Sequence, residues 1–194
     1  MPPFIAFLDA NVLYPSELRS FLMFLALPGI YRAKWSAEVH EEWITNLLLN
    51  RPDLTREKLE RTRALMDSHV PDALVTDYED LVAGLTLPDA DDRHVLAAAI
   101  RGKASVIITS NLNDFPAAQL QTYNIKAQTP DEFITHLIDL HPTEVLQAAE
   151  DHRMNLKNPP KTVAQYLASL KQQGLAESVA QLALLYTHAD NATA

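Results

Sequence analysis

Short apolar runs separated by amphipathic stretches make up most of the chain before residue 140. The clearest runs are residues 4–8 (FIAFL) and 104–109 (ASVIIT), and a shorter one covers residues 124–127. Apolar runs of this length, bounded by polar residues, are typical of strands buried in a parallel sheet. Between them, apolar side chains recur with the spacing of one helix face. The predicted helices are residues 17–27, 36–50, 54–68, 92–101 and 130–140.

Strands that alternate with helices predict an α/β fold, here a three-layer α/β/α arrangement with a mostly parallel central sheet. The pattern changes after His141-Pro142, beyond which only helical periodicity is present. Thr162 and Gln165 have the spacing of a capping box, and Gly174 interrupts the periodicity. We therefore expect an α/β domain at residues 1–140 and a C-terminal helical extension at residues 141–194.

The composition is that of a folded protein outside the membrane. Of the 194 residues, 47% are hydrophobic, which is enough for a substantial core. No cysteine is present, so disulfides and thiolate metal sites are excluded. No apolar run approaches the roughly 20 residues that span a bilayer, and the Met-Pro-Pro start does not resemble a signal peptide. We expect a cytoplasmic protein without membrane contacts.

The net charge of −9 resides mainly in residues 1–140. A protein this acidic is a poor general binder of nucleic acid, because phosphates are repelled by it. The conclusion reverses if several of the acids bind divalent cations, since bound cations invert the local field. The position of the acids therefore matters more than their number.

Acidic residues recur where an α/β sheet would bring distant segments together. They lie after the first apolar run, within the helix at 36–50, at the start of the helix at 92–101, and after the run at 104–109. The candidates at these four places are Asp9, then Glu42, then Asp89, Asp91 and Asp92, and finally Asp114 together with Asn111 and Asn113. If the two long runs are neighbouring strands, the first and last acids share the sheet edge at which open α/β folds bind ligands.

A cluster of carboxylates has a chemical use if it binds a metal ion. Carboxylates only a few ångströms apart repel each other, and some stay protonated at neutral pH. Mg²⁺ or Mn²⁺ resolves this conflict because both prefer oxygen ligands. Water bound to such an ion can attack phosphorus, while the ion offsets charge on the phosphate. Zinc is disfavoured because the chain has no cysteine and no histidines paired at metal-binding spacing.

Each of these acids also has a structural alternative. Asp92 could cap its helix, Asp114 could belong to a turn, and Glu42 could be a solvated helix charge. Asp9 is the exception. A carboxylate that directly follows five apolar residues is costly to bury, and helix or turn formation gives little reason for it.

Four segments, in order, resemble the PIN-domain family. They are residues 5–14 (IAFLDANVLY), 35–43 (WSAEVHEEW), 89–99 (DADDRHVLAAA) and 109–115 (TSNLNDF). The resemblance covers about residues 3–140 and does not extend to the helical tail. PIN domains are Mg²⁺- or Mn²⁺-dependent nucleases that usually act on RNA. Many bacterial members are VapC-type toxins that a small antitoxin protein holds inactive.

The resemblance implies a role for particular residues. The acids that would bind Mg²⁺ (or Mn²⁺) and carry the hydrolysis are Asp9, Glu42, Asp92 and Asp114. Asn11, Asp89 and Asn111 match polar positions that support this set. The implied partners are an RNA substrate and a cognate antitoxin, and a homodimer is a further expectation because dimers are common in the family.

Contacts to the substrate and two alternative functions remain open at this stage. The candidates for binding RNA are Arg93, next to Asp92, and three arginines on or near the helix at 54–68, namely Arg51, Arg56 and Arg63. A solvated ion pair is the simpler interpretation for Arg56 and Arg63. A haloacid-dehalogenase-like phosphatase also begins with a strand-terminal aspartate, but it needs an acid where Asn11 stands. A degenerate PIN fold could instead bind a partner without catalysis.

Overall fold

The computed structural model describes residues 4–193, and these form two compact units. The first runs to Tyr14 and resumes at Tyr31–Thr129, and the second contains Pro15–Ile30 and the chain from Pro130 onward. Residues 1–3, on which the expectation about a signal peptide was based, lie outside the described part. The predicted domain boundary after residue 140 stays a prediction, because a compact unit need not be an independent domain.

The first unit is built on a five-stranded sheet in which neighbouring strands pair in parallel. The strands are β1 (Phe4–Leu8), β2 (Tyr31–Ser36), β3 (Leu74–Val75), β4 (Val106–Ile108) and β5 (Lys126–Gln128). Their order is β3-β2-β1-β4-β5. Leu8 of β1 aligns with Ile108 of β4, so the residues after these two strands emerge side by side. The predicted α/β class with a parallel central sheet is confirmed.

Two strands of this sheet were not predicted. In β2, buried Tyr31, Ala33 and Trp35 alternate with Arg32, which is exposed, and Lys34, which is partly exposed. The cations interrupt the apolar run by which the other strands were recognised, although the alternation itself is typical of a strand. β3 has only two residues and pairs with the end of β2, which is too short to leave a pattern.

Helices surround the strands of the first unit. They are α1 (Ala10–Leu13), α3 (Ala37–Asn50), α4 (Arg56–His69), α5 (Glu79–Val82), α6 (Arg93–Arg101) and α7 (Ala117–Leu120). Ser36 caps α3 as predicted, because its side chain accepts the Val39 N–H at 3.2 Å. Gly102 ends α6 with an ordinary φ of −74°. Glycine fits there because a Cβ would lie 2.9 Å from the Val75 side chain.

The second unit is helical. It contains α2 (Ser16–Ala26), α8 (Pro130–Leu140), α9 (Pro142–Asn155), α10 (Val163–Gln172) and α11 (Ala176–Thr193). The predicted capping box at Thr162 and Gln165 is present. Buried His152 packs between Phe21 and Tyr166 and shares a 2.9 Å hydrogen bond with the tyrosine hydroxyl. None of the helices among residues 4–193 is long and apolar enough to cross a membrane.

Candidate active site

Asp9 directly follows β1 and is only 5% exposed. The Ala10 N–H donates to its Oδ1 at 2.6 Å, while the Asn11 amide and the Thr109 hydroxyl donate to its Oδ2 at 2.6 and 2.8 Å. Burial raises the pKa of the Asp9 carboxyl, and the bonds from Thr109 and Ala10 counter only part of that rise. The carboxyl group is therefore fixed in position, and burial still disfavours its ionised form.

Thr109 and Asn11 tie this carboxylate to the loop that follows β4. The Asn11 side chain donates to the Thr109 hydroxyl at 2.9 Å and accepts the Ser110 N–H at 2.9 Å. The Thr109 hydroxyl also accepts the Asn111 N–H at 3.1 Å. Because Thr109 stands beside Asp9 across two paired strands, the network fixes Asp9 relative to the loop at residues 110–114.

Replacing Thr109 by valine should lower the free energy of unfolding by about 1–3 kcal/mol. Valine keeps the shape of the side chain, but the Asp9 carboxylate loses a donor, and the Asn11 amide loses an acceptor. Chemical denaturation followed by circular dichroism measures the change. Thr62→Val is the matched control, because its hydroxyl bonds only the Lys58 carbonyl on an exposed helix. Equal losses in the two variants would contradict the proposed network.

The four predicted acids line one open cavity of about 380 Å³ in the first unit. They come from four places: the end of β1, the middle of α3, the start of α6 and the turn after β4. The acids are Asp9, Glu42, Asp92 and Asp114. Asn11 also lines the cavity. The sheet order explains part of this convergence, because Asp9 and the loop that carries Asp114 follow the adjacent strands β1 and β4 at the same edge of the sheet.

Asp92 stands at the N-terminus of α6, yet its side chain makes no capping hydrogen bond. The nearby structural bond is made by Asp89, whose Oδ1 accepts the Asp91 N–H at 2.9 Å. Burial, followed by repulsion from Asp9 and Asp114, raises the pKa of Asp92 from 3.8 to about 7. The helix-cap alternative therefore does not describe Asp92, which instead faces other carboxylates.

Glu42 is held against a buried histidine. His94 is 6% exposed, and its Nε2 lies 2.7 Å from Glu42 Oε1, while its Nδ1 lies 3.5 Å from Glu38 Oε2. Both contacts are ion pairs when the histidine is protonated. Burial would lower the pKa of His94, but Glu42, Glu38 and Asp9 outweigh it and raise the pKa. Oxygen atoms of Glu38 and Glu42 and a ring nitrogen of His94 lie close enough together to hold a metal ion.

The supporting residues lie close to the acids. The Asn111 side-chain amide donates a short hydrogen bond to the Asp114 carboxylate, within the 3₁₀ turn at Leu112–Asp114. Asp89 shapes the loop before α6 and adds to the repulsion that raises the pKa of Asp92. Asn111 and Asp89 thus hold the two loops that present Asp114 and Asp92.

Two of the arginines proposed to bind substrate, Arg56 and Arg93, are engaged elsewhere and are absent from the cavity lining. Arg56 donates to Glu41 at 2.8 and 3.1 Å and pairs with Glu60 at 3.4 Å on an exposed surface. Arg93 donates from Nε to the Ala90 carbonyl at 2.8 Å. Their contact with RNA stays a prediction. Glu41 and Glu42 thus differ in their surroundings, because Glu41 pairs with Arg56 and Glu42 lines the cavity.

Sequence reasoning did not single out several residues of this region. Thr109 is bonded to Asp9, and a hydroxyl at the end of a buried strand beside a strand-terminal acid was the available signal. His94 lies two residues after Asp92, and this spacing was the available signal for it. The cavity-lining residues that were not proposed for the site are Ala10, Tyr14, Asn46 and Asn50.

Comparison with known proteins places this fold and site in a family. A family model described as PIN domain matches residues 6–113. Because the match covers more than half of the chain, the chain belongs to the PIN-domain family. A second model, described as VapC50 C-terminal domain, matches residues 130–184. The helical tail, to which the PIN-domain resemblance did not extend, is thus similar to that C-terminal domain.

One relative shares the name VapC50 with the second family model. The protein named "Putative ribonuclease VapC50" from Mycobacterium tuberculosis (strain ATCC 25618 / H37Rv) is 48% identical over 64 residues. This stretch is 33% of the present chain and 37% of that protein, so the match spans well under half of either one. No solved structure matches the chain. The resemblance to PIN-domain, VapC-type proteins is confirmed.

Proposed function

We propose that the chain is a metal-dependent endoribonuclease of the VapC type, which hydrolyses phosphodiester bonds in RNA. The observation that carries the proposal is the convergence of Asp9, Glu42, Asp92 and Asp114 on one open cavity. The membership of the PIN-domain family and the name of the Mycobacterium tuberculosis relative support the choice of RNA as substrate.

The donor set fits Mg²⁺ or Mn²⁺. The cavity wall offers carboxylate oxygens, which hard divalent cations prefer, and burial, followed by repulsion from Asp9 and Asp114, raises the pKa of Asp92. Asp9, Asp92 and Asp114 would hold one or two ions, with Glu42 as a ligand either directly or through water. When bound, the ion supplies an activated water and offsets the charge that develops on the phosphate.

The protein's own residues prepare this site. Donors at 2.6–2.8 Å prevent rotation of the Asp9 carboxylate, so its free lone pairs keep one direction. His94 supports Glu42 from the buried side, which holds that carboxylate at the cavity wall. Asn111 does the same for Asp114. Fixed ligands of this kind need no rearrangement when the phosphate arrives, which is the usual source of catalytic advantage.

Partners follow from the same assignment. We propose that a small antitoxin inhibits the enzyme, as the VapC family match implies. An antitoxin with a basic side chain would suit the negative field of the cavity. A homodimer is part of the proposal as an expectation from the family, as is a cytoplasmic location.

The alternative functions have less support. In a haloacid-dehalogenase-like phosphatase, a second acid would occupy position 11, but Asn11 bonds Asp9 and Ser110 as an amide. Membership of the PIN-domain family also removes the reason for that alternative. A degenerate, non-catalytic PIN fold would have lost acids, whereas all four acids line the cavity here.

Purified protein should cleave single-stranded and structured RNA in the presence of Mg²⁺ or Mn²⁺ and lose this activity when a chelator is added. Removing the ion leaves the carboxylates to repel the phosphate. Gel electrophoresis of a labelled RNA with time measures the cleavage. Adding excess Mg²⁺ after the chelator should restore the activity. Cleavage that persists at full rate in chelator would contradict metal dependence.

A further inference from the structure

Uncharged residues line the cavity together with the four acids. Ala10 and Asn11 directly follow Asp9, and the other three are Tyr14, Asn46 and Asn50. Asn11 serves the proposed chemistry because it donates to the Asp9 carboxylate. Tyr14, Asn46 and Asn50 have no part in that chemistry and remain unexplained by the proposed function.

The arrangement on α3 is periodic. Glu42, Asn46 and Asn50 are spaced four residues apart, so they lie on one face of the helix at intervals of about 6 Å along its axis. The Asn50 side-chain nitrogen donates to the Asn46 backbone carbonyl at 2.8 Å. The side-chain oxygen of Asn50 is then available as an acceptor. Asn46 is exposed in the interior of a helix, where asparagine is a poor helix former. Helix stability therefore does not explain its presence.

An aromatic ring lines the same cavity, and a cation outside the lining follows Asn50 in the sequence. Tyr14 is half-buried at the C-terminus of α1 and lines the same cavity. Arg51 follows Asn50 directly, and the neighbours that raise its pKa are Asp53 first and also Tyr14. Its ion pair with Asp53 is exposed, at 2.7 Å. Exposed pairs of this kind are weak, so Arg51 can exchange to a phosphate at little cost.

We propose that Tyr14, Asn46 and Asn50 form a subsite that binds one unpaired nucleotide of the RNA next to the phosphate that is cleaved. This inference rests on the proposed function and specifies its substrate as RNA with an unpaired base beside the cleaved bond. The Tyr14 ring stacks on the base, the two amides contact the edge of the base, and Arg51 contacts the next phosphate.

The physical argument is one of charge and shape. A phosphate is tolerated beside the acids only together with a cation, so the uncharged residues that follow Glu42 along α3 offer the better place for the flanking nucleotide. Every base has a flat face that can stack on an aromatic ring, and stacking of this kind contributes about 1–3 kcal/mol per base. Amides both donate and accept, so they can distinguish one base edge from another. A paired base has neither its face nor its edge free, which selects unpaired RNA.

Variants of the subsite should bind RNA more weakly while the chemistry is preserved. We would measure the Kd of short single-stranded RNAs by fluorescence anisotropy with Ca²⁺ in place of Mg²⁺, and kcat and KM with Mg²⁺. Tyr14→Leu should raise Kd and KM about 10-fold or more, with kcat changed far less. Asn46→Ala and Asn50→Ala should change which base is preferred beside the cleavage site. Asn46→Ala also replaces a poor helix former with a good one, so unfolding would not explain a loss.

Thr45→Ala is the matched control, because Thr45 is exposed on the same helix and bonds Glu41 outside the cavity. The subsite is overturned if Tyr14→Leu and Asn46→Ala match this control in Kd, KM and base preference. If the wild-type protein fails to cleave RNA but Tyr14→Leu still weakens binding, the proposed function fails and the subsite stands. A double-stranded RNA of the same sequence should bind more weakly than the single strand, and equal binding would also contradict the proposal.

Discussion

Replacing Asp9 by asparagine should lower the rate of RNA cleavage by about 1000-fold or more, which corresponds to roughly 4 kcal/mol of lost transition-state stabilisation. Asparagine has nearly the same shape, but it carries no charge to hold a divalent cation. Single-turnover cleavage of a labelled RNA at saturating Mg²⁺ measures the effect. The loss should persist at high Mg²⁺ concentration, because the fixed carboxylate itself is missing.

Stability should move much less than activity in this variant. Burial raises the pKa of Asp9, so the ionised carboxylate is a cost to the fold, and asparagine removes that cost. Against this, the new amide group would face the Asn11 and Thr109 donors. The free energy of unfolding should therefore change by no more than about 1–2 kcal/mol in either direction. Asp139→Asn, an exposed acid outside the cavity, controls for net charge. An Asp9→Asn protein that is folded and cleaves at the wild-type rate would contradict the proposal.

Binding of Mn²⁺ should strengthen about 10-fold per pH unit between about pH 5 and 7 and level off above pH 7. The pKa of Asp92 is raised from 3.8 to about 7, so below pH 7 the ion has to displace a proton from this carboxyl. Isothermal titration calorimetry across this range measures the slope. Two buffers with different ionisation enthalpies report the number of protons released.

In the metal-free protein, by contrast, a rise in pH should lower the free energy of unfolding. Because the folded-state pKa of Asp92 lies above its unfolded value, its contribution to stability is full below about pH 4 and is lost as the pH rises to about 7. Added Mn²⁺ should therefore raise the melting temperature more at pH 7.5 than at pH 5.5. Asp92→Asn should flatten the pH dependence of Mn²⁺ binding. A slope unchanged in Asp92→Asn would show that another group releases the proton.

The sequence sufficed for the elements that carry a local signal. β1 and β4 were predicted from continuous apolar runs, and α3 was predicted from its periodicity and its Ser36 cap. β2 escaped because Arg32 and Lys34 break its apolar character, and it is a strand only because β1 and β3 pair with it on either side. Such long-range pairing leaves little trace in a short alternating segment.

The candidate site divides in the same way. Asp9 was identifiable alone, because a buried strand-terminal acid has few structural uses. Thr109 and His94 matter through contacts with residues far away in the sequence, Thr109 with Asp9 and His94 with Glu42. These contacts depend on the strand order and on the packing of α6. No local pattern specifies either feature, so their roles required the three-dimensional structure.

The most direct test of the account is to locate Mn²⁺ by anomalous X-ray scattering in crystals of the protein grown with that ion. The account predicts a peak among the carboxylates of Asp9, Asp92 and Asp114, within the cavity that these residues line. Glu38, Glu42 and His94 form a second group able to hold an ion. A peak confined to that group, or no peak at saturating Mn²⁺, would contradict the proposed metal site.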